Sequence, residues 1–187
     1  MHGATMATGM TQRPSESELA LAIAGAARSA FSDLFAKHSG EHFYYCSLIV
    51  SGSAVSPILS AWSREALQRA LQESSLDEEE LKWSYADSPY RGFGEEYFDE
   101  VTSLFAARPQ PIYDPEAWPA ENALRLRAME AAMARLDHEG LFGSGPRRLS
   151  IVINAEVMPP DNSNVERALR LNPRAALAEW LREAAED

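Results

Sequence analysis

The stretch Phe43-Tyr-Tyr-Cys-Ser-Leu-Ile-Val50 decides the fold, because it is aromatic and apolar on both faces of an extended chain. A strand that is apolar on both faces is buried on both, which predicts a central strand over 42–50. Ser51-Gly52-Ser53 predicts a turn, and the alternation over 55–62 predicts the second arm of a hairpin. Pro57 cannot donate a backbone hydrogen bond, so we expect this arm at a sheet edge.

Helical patterns flank the hairpin. Ser15-Glu-Ser-Glu18 is a capping box that predicts a helix over roughly 16–38, and Ser63 can cap a helix that ends near Glu73. Further helices are expected over 94–107, between Pro119 and Gly140, and after Asn172-Pro173. In the last of these, Asn172 is expected as the N-cap and Pro173 in the first turn.

A third strand is predicted over 149–157, where Leu149-Ser-Ile-Val-Ile-Asn-Ala-Glu-Val157 places apolar side chains on alternate positions. The strands are few and do not alternate regularly with helices, which argues against a doubly wound sheet. The expected fold class is therefore α+β. It consists of a small, mainly antiparallel sheet of about three to four strands, covered by about five helices.

Composition indicates one soluble domain. The chain has 187 residues, 45% of them hydrophobic, which fits a disordered tail over 1–14 and a single domain over 15–187. The apolar runs are too short for a membrane span, and the N-terminus lacks the apolar core of a secretory signal. Cys46 is the one cysteine, and its apolar setting favours a buried side chain over a reactive thiol. A cytoplasmic location is expected.

Negative charge is concentrated in one region of the chain. The net charge is −11, which argues against nucleic-acid binding and favours a basic protein partner. Residues 73–100, here called the acidic sector, hold ten acids against Lys82 and Arg91, a net charge of −8. The candidate interaction residues are drawn from this sector: Glu78, Glu79, Glu80, Asp87, Tyr90, Glu96 and Glu100. A solvated charged face is the alternative interpretation.

The most distinctive motif, Leu81-Lys-Trp-Ser-Tyr-Ala-Asp-Ser-Pro-Tyr90, lies inside the acidic sector. Trp83 is expected as a buried anchor, and Asp87-Ser-Pro89 as a turn that leads into the next helix. The residues interpreted as structural are Trp83, Ser84 and Pro89, together with Asn172 and Pro173. A recognition surface of exposed aromatic and acidic groups is the competing interpretation of this motif.

No pattern in the sequence assigns a reaction. The histidines and the cysteine do not match the spacing of a zinc site, and the Gly-x-Ser-x-Gly elbow of a serine hydrolase is missing. Gly143-Ser144-Gly145 is weak evidence for a nucleophile. We therefore expect no catalytic residues, no metal and no cofactor. The carboxylates near Trp83 leave a small hydrolase or transferase as the alternative, with Asp87 or a glutamate of 95–100 as the acting group.

The combination of Phe43-Tyr-Tyr-Cys-Ser-Leu48, the motif over 81–90, Gly140-Leu-Phe-Gly143 and Leu171-Asn-Pro173 resembles a bacterial family, the domain of unknown function numbered 4303. The resemblance covers roughly 16–184. It implies a small, single-domain cytoplasmic protein, and no activity or catalytic residue is carried over with it.

The leading hypothesis is a non-enzymatic protein-binding module. It would engage a basic partner through the acidic sector, in the way an immunity-type protein caps a toxin, a link that rests on analogy alone. The small hydrolase or transferase is the rival, and a purely structural subunit of a homo-oligomer is a third hypothesis.

Overall fold

The computed structural model describes residues 13–51 and 56–184. Almost all of the tail predicted over 1–14 lies outside these residues, as do the turn residues Gly52 and Ser53. The described part contains a 3₁₀ helix at Glu95–Phe98 and eleven further elements. These are α1 Glu16–Lys37, β1 Phe43–Ser51, β2 Ile58–Ser63, α2 Arg64–Glu73, α3 Glu78–Leu81, α4 Asp99–Ala106, α5 Trp118–His138, α6 Gly145–Leu149, β3 Val152–Met158, α7 Asn162–Leu171 and α8 Arg174–Glu183.

The three strands form one sheet in the order β2-β1-β3, so β1 is central and β2 is an edge, as the sequence predicts. The α+β class is confirmed. The sheet is mixed, however, because β1 is antiparallel to β2 and parallel to β3. The expectation of a mainly antiparallel sheet missed the parallel pair. Because β2 is antiparallel to β1, it ends beside the start of β1, and the long, largely helical connection brings β3 back to that same end, so that β3 runs parallel to β1.

More helices form than the sequence pattern predicts. Both capping predictions are confirmed: the Ser15 hydroxyl accepts a hydrogen bond from Glu18 N at 3.2 Å, and the Ser63 hydroxyl accepts one from Ala66 N at 2.9 Å. The helix α7 was not predicted, although Asp161 caps it by accepting from Ser163 N at 2.9 Å. The strand β3 begins only at Val152, because residues Gly145–Leu149 are helical.

One face of the sheet is apolar and packs against α1 and α5, which lie against each other. Cys46, Leu48 and Ala155 on this face are fully buried. Burial raises the pKa of the Cys46 thiol, so its predicted role as a small buried side chain is confirmed. Aromatic rings extend the core, with Phe31 and Phe142 edge to face at 5.3 Å.

The helix α1 is the one described helix whose length and apolar composition would suffice to cross a membrane. Core helices of soluble proteins meet the same criterion. Here its Leu19, Ile23 and Phe31 are fully buried against the rest of the protein. The contacts of α1 in this structure are therefore those of a core helix.

The opposite face of the sheet, here called the polar face, carries buried polar side chains among apolar ones. Because paired residues in neighbouring strands share a face, Ser47 lies beside Ser60 on one side and Asn154 on the other, and all three are fully buried. The motif over 81–90 crosses this face. Ser60 Oγ donates to the Tyr85 carbonyl at 3.1 Å, and Trp62 Nε1 donates to the Ser84 carbonyl at 2.6 Å. The motif is thus fixed to the sheet by hydrogen bonds to its backbone.

Side chains from α7 and its C-terminal end satisfy the outer edge of β3. Asn164 Oδ1 accepts from Val157 N at 2.9 Å and Asn172 Oδ1 accepts from Ile153 N at 2.9 Å, while Arg167 Nε donates to the Ala155 carbonyl. The predicted role of Asn172 as a helix N-cap is therefore wrong. Its side chain points back to the strand, because the edge of β3 offers it both a donor and an acceptor. These contacts fix the position of β3 relative to the rest of the sheet.

Candidate functional site

The candidate interaction residues do not all lie on the surface. Glu78, Glu79 and Glu80 are exposed on α3, and Asp87, Glu96 and Glu100 are also exposed. The prediction that Tyr90 is an interaction residue is wrong, because its side chain is only 5% exposed and cannot offer a contact surface. Its hydroxyl donates to Glu41 Oε2 at 2.6 Å and accepts from Arg69 Nη2 at 3.0 Å. Burial and then the hydrogen bond to Glu41 raise the pKa of Tyr90 to about 12, while Arg69 opposes that shift in part.

Trp83 packs against β1 but is only half-buried, whereas the sequence predicts a buried anchor. Its ring meets Tyr44 at 5.3 Å and Tyr45 at 5.9 Å, both edge to face. A register shift between Phe43 and Tyr45 accounts for this pair of contacts, since a bulge can direct two successive side chains to one side of a strand. Trp83 Nε1 donates to Glu183 Oε2 at 3.1 Å, and this hydrogen bond connects the motif to α8.

The other motif residues form the turn that follows Trp83. The Ser84 hydroxyl donates to the Asp87 carboxylate and accepts from Asp87 N at 3.3 Å. Pro89 lies exposed in this turn, whereas Ser88 is buried and its hydroxyl donates to the Ala61 carbonyl. The turn therefore closes over the polar face of the sheet.

A cleft of about 430 Å³ remains on this polar face, between the motif, β3 and the helices α7 and α8. We call it the Glu156 cleft after the carboxylate among its lining residues. Trp83, Tyr85 and Trp180 supply aromatic surface, and further carboxylates come from Glu79, Glu80 and Glu183. A concave site that combines apolar walls with a few polar groups is the usual form of a ligand site.

Glu156 is a buried carboxylate, only 5% exposed. Tyr45 Oη donates to its Oε1 at 2.6 Å, and Asn154 Nδ2 donates to the same oxygen at 3.0 Å. Burial raises the pKa of Glu156, and hydrogen bonds from these neighbours and the charge of Arg167 oppose that shift only in part. Glu156 was not among the residues predicted from the sequence. The available signal was a lone acid within the apolar strand 151–157.

An internal cation already lies at the edge of this region. Lys82 Nζ contacts Glu179 Oε1 at 2.6 Å and Glu183 Oε2 at 2.8 Å, and it lies 5.4 Å from the centroid of the Trp83 ring. The Lys82 hydrogen bond, followed by those of Arg182 and Trp83, lowers the pKa of Glu183 to about 2. The aromatic and acidic groups here therefore bind a cation within the protein itself.

The acids of the acidic sector form no close ion pair with the described residues, although Lys37 interacts with Glu96 at longer range. In the described part of the chain, no basic nitrogen lies within 4.0 Å of any of its ten carboxylates. Eleven of the sixteen other acids between residues 13 and 184 do have such a contact. They are Glu16, Asp33, Glu41, Glu65, Glu121, Glu130, Asp137, Glu139, Glu166, Glu179 and Glu183.

The carboxylates invoked for a hydrolase or transferase do not line the Glu156 cleft. Asp87 lines a different cavity, of about 390 Å³, together with Glu73. Glu96 is exposed on the 3₁₀ helix and Glu100 on α4. Within residues 13–51 and 56–184, no group of three or more histidine, cysteine or acidic side chains is arranged to hold a metal ion.

Replacing Glu156 with glutamine is expected to change how stability depends on pH. Burial raises the pKa of Glu156 in the folded state, so folding favours the protonated carboxyl. The stability that depends on this protonated form is fully present below the unfolded-state pKa and is lost as pH rises through the folded-state pKa. Glutamine keeps an oxygen for Tyr45 and Asn154 but does not ionise. Relative to wild type, Glu156→Gln should therefore gain stability between pH 5 and pH 8, by about 1.4 kcal/mol for each unit of the shift.

Urea unfolding at the two pH values measures this gain. The titrating groups around Glu156 are Tyr45 and Arg167, with Glu79, Glu80 and Glu183 at the cleft, and the substitution leaves them all in place. Glu166→Gln is the control, because the Glu166 side chain is 68% exposed. A stability difference between Glu156→Gln and wild type that stays constant with pH would contradict the assignment.

The fold and site define a class of protein: a small α+β domain with a mixed three-stranded sheet and an aromatic, acid-lined cleft on its polar face. The chain belongs to the family described as Domain of unknown function (DUF4303), whose model matches residues 23–173. The resemblance in the sequence is thereby confirmed. The matched region includes Trp83 and Glu156 and stops before α8, which contributes Trp180 and Glu183. Searches of curated proteins and of solved structures gave no match.

Proposed function

We propose that this protein is a protein-binding module that engages a basic protein partner through the acidic sector. The observation that carries the proposal is the contrast in ion pairing between the sector and the rest of the chain. Acids elsewhere mostly contact a basic side chain, whereas the ten acids of the sector contact none within the described residues. An immunity-type protein is one biological setting for such a module.

The arrangement of these acids leaves repulsion that a cationic partner would relieve. Glu78, Glu79 and Glu80 are consecutive on α3, and Glu96 lies four residues before Glu100. The first turn of α3 suits acids because of the helix dipole, but the clustered carboxylates still repel one another, and water and salt screen this repulsion only in part. A complementary basic surface would steer the partner toward this side and make association sensitive to salt.

Charge reversal at matched positions tests the proposal with nona-arginine as the probe. Glu78→Lys/Glu79→Lys should weaken binding by about tenfold at low salt, and Glu96→Lys/Glu100→Lys should also weaken it. All four side chains are exposed, so the fold should persist. Isothermal titration calorimetry at two salt concentrations measures the dissociation constants.

The control variant is Asp114→Lys/Glu116→Lys, which changes the net charge by the same amount. Asp114 and Glu116 are exposed and also lack an ion pair among the described residues, but they lie outside the acidic sector. Its affinity for nona-arginine should stay close to that of wild type. If this control weakens binding as much as both sector variants, only net charge matters and the proposal fails.

A further inference from the structure

We infer that the Glu156 cleft receives one cationic side chain, an arginine or lysine, of the basic partner. This inference rests on the proposed function and assigns to it a specific site. It differs from general attraction to the acidic sector, because it places a single charged group inside a cavity of defined shape.

The walls of the cleft suit the flat or extended shape of such a side chain. Trp83, Tyr85 and Trp180 line it, and an aromatic face attracts a guanidinium or ammonium group. Glu79 and Glu80 on α3 lie among the lining residues, so an entering cation passes carboxylates that form no ion pair with the described residues. The aliphatic part of arginine or lysine would pack against the rings while its charge goes deeper.

Glu156 offers the entering group a buried acceptor. Tyr45 and Asn154 hold the carboxylate in place through Oε1, and Glu156 is among the residues that line the cleft. An arginine guanidinium can donate two parallel hydrogen bonds to carboxylates, and an ammonium can donate three. A cation at this position would favour the ionised form of Glu156, whose pKa burial raises.

Lys82 shows the same chemistry within the chain. Its ammonium group lies close to the Trp83 ring and between two carboxylates of α8, Glu179 and Glu183. The ammonium group is thus held by an aromatic face and two acids. The Glu156 cleft offers the same combination of groups, because Trp83 also lines this cleft together with carboxylates.

The test compares nona-arginine with nona-citrulline, which has nearly the same shape but no charge. The four tryptophan indole N–H groups, followed by NMR, report where the peptide binds. At pH 8, nona-arginine should shift the resonances of Trp83 and Trp180 and leave that of Trp118, which lies at the start of α5, unchanged. Nona-citrulline should shift none of them.

The variant Glu156→Gln separates this inference from the proposed function. It should bind nona-arginine at least roughly tenfold more weakly than wild type, because the buried charge is lost while the acidic sector is unchanged. If Glu156→Gln binds as tightly as wild type, or if the Trp83 and Trp180 resonances stay in place on binding, this inference is wrong and the proposed function stands. If wild type does not bind nona-arginine at all, the proposed function itself fails.

Discussion

Replacing Glu121 with glutamine is expected to lower the free energy of unfolding by about 3 to 5 kcal/mol. Glu121 is 5% exposed, and its Oε1 accepts from Arg125 Nε and from Arg108 Nε, each at 2.8 Å. Arg125 is fully buried, with its guanidinium 4.5 Å from the Phe105 ring centroid and 5.3 Å from that of Trp118. Glutamine removes the negative charge that both guanidinium groups face, and a buried charge that loses its counter-charge is costly.

This stability contribution should disappear in acid. Hydrogen bonds from Arg108 and Arg125 oppose the effect of burial and lower the pKa of Glu121. The contribution is therefore present above the unfolded-state pKa and is lost as pH falls through the folded-state pKa. Urea unfolding should show a large gap between wild type and Glu121→Gln at pH 7 and a smaller gap near pH 3.

The matched control is Glu116→Gln, because Glu116 lies shortly before Glu121 in the chain, just ahead of the start of α5. Glu116 is exposed, so its substitution should change stability by less than about 0.5 kcal/mol. A loss in Glu121→Gln no larger than in this control would contradict a structural role for the cluster of Glu121, Arg108 and Arg125.

The second large effect is expected for Asn172→Ala, with a loss of about 3 kcal/mol. Asn172 is 7% exposed and makes hydrogen bonds to both backbone groups of Ile153, accepting at 2.9 Å and donating at 2.7 Å. It also donates to the Ala168 carbonyl at 2.9 Å and accepts from Arg148 Nη2 at 3.1 Å. Alanine would leave these buried groups without the partner that they have in wild type.

Asn162→Ala is the comparison for this variant, because Asn162 is exposed at the start of α7. Thermal and urea unfolding should show little change for Asn162→Ala and a clear loss for Asn172→Ala. Equal stability of the two variants would mean that the edge of β3 does not depend on the Asn172 side chain.

Much of the fold could be predicted because its signals are local. The capping box at Ser15 predicts the start of α1, and the doubly apolar pattern of β1 predicts its central position. The parallel pairing of β1 with β3 could not be predicted in this way, since register and direction depend on where a long connection returns. The helix α7 is amphipathic and has Asp161 as its N-cap, so its signals are also local.

The site was only partly predictable for the same reason. The acidic sector is visible in composition, and Trp83 is visible as part of a motif. Glu156 becomes a site residue only because the parallel pairing places it opposite Ile49, on the same face as Tyr45 and beneath the motif. Tyr90 was misassigned because its hydroxyl finds Glu41 and Arg69, which are distant in sequence. Long-range contacts of this kind leave no local pattern.

The most direct test of the proposed function is the dissociation constant of nona-arginine for three variants of equal charge change, measured at low salt. The account predicts weaker binding for Glu78→Lys/Glu79→Lys and for Glu96→Lys/Glu100→Lys, and near wild-type binding for Asp114→Lys/Glu116→Lys. Equal affinity of all three variants would contradict it, because the acidic sector would then be no more than a solvated face.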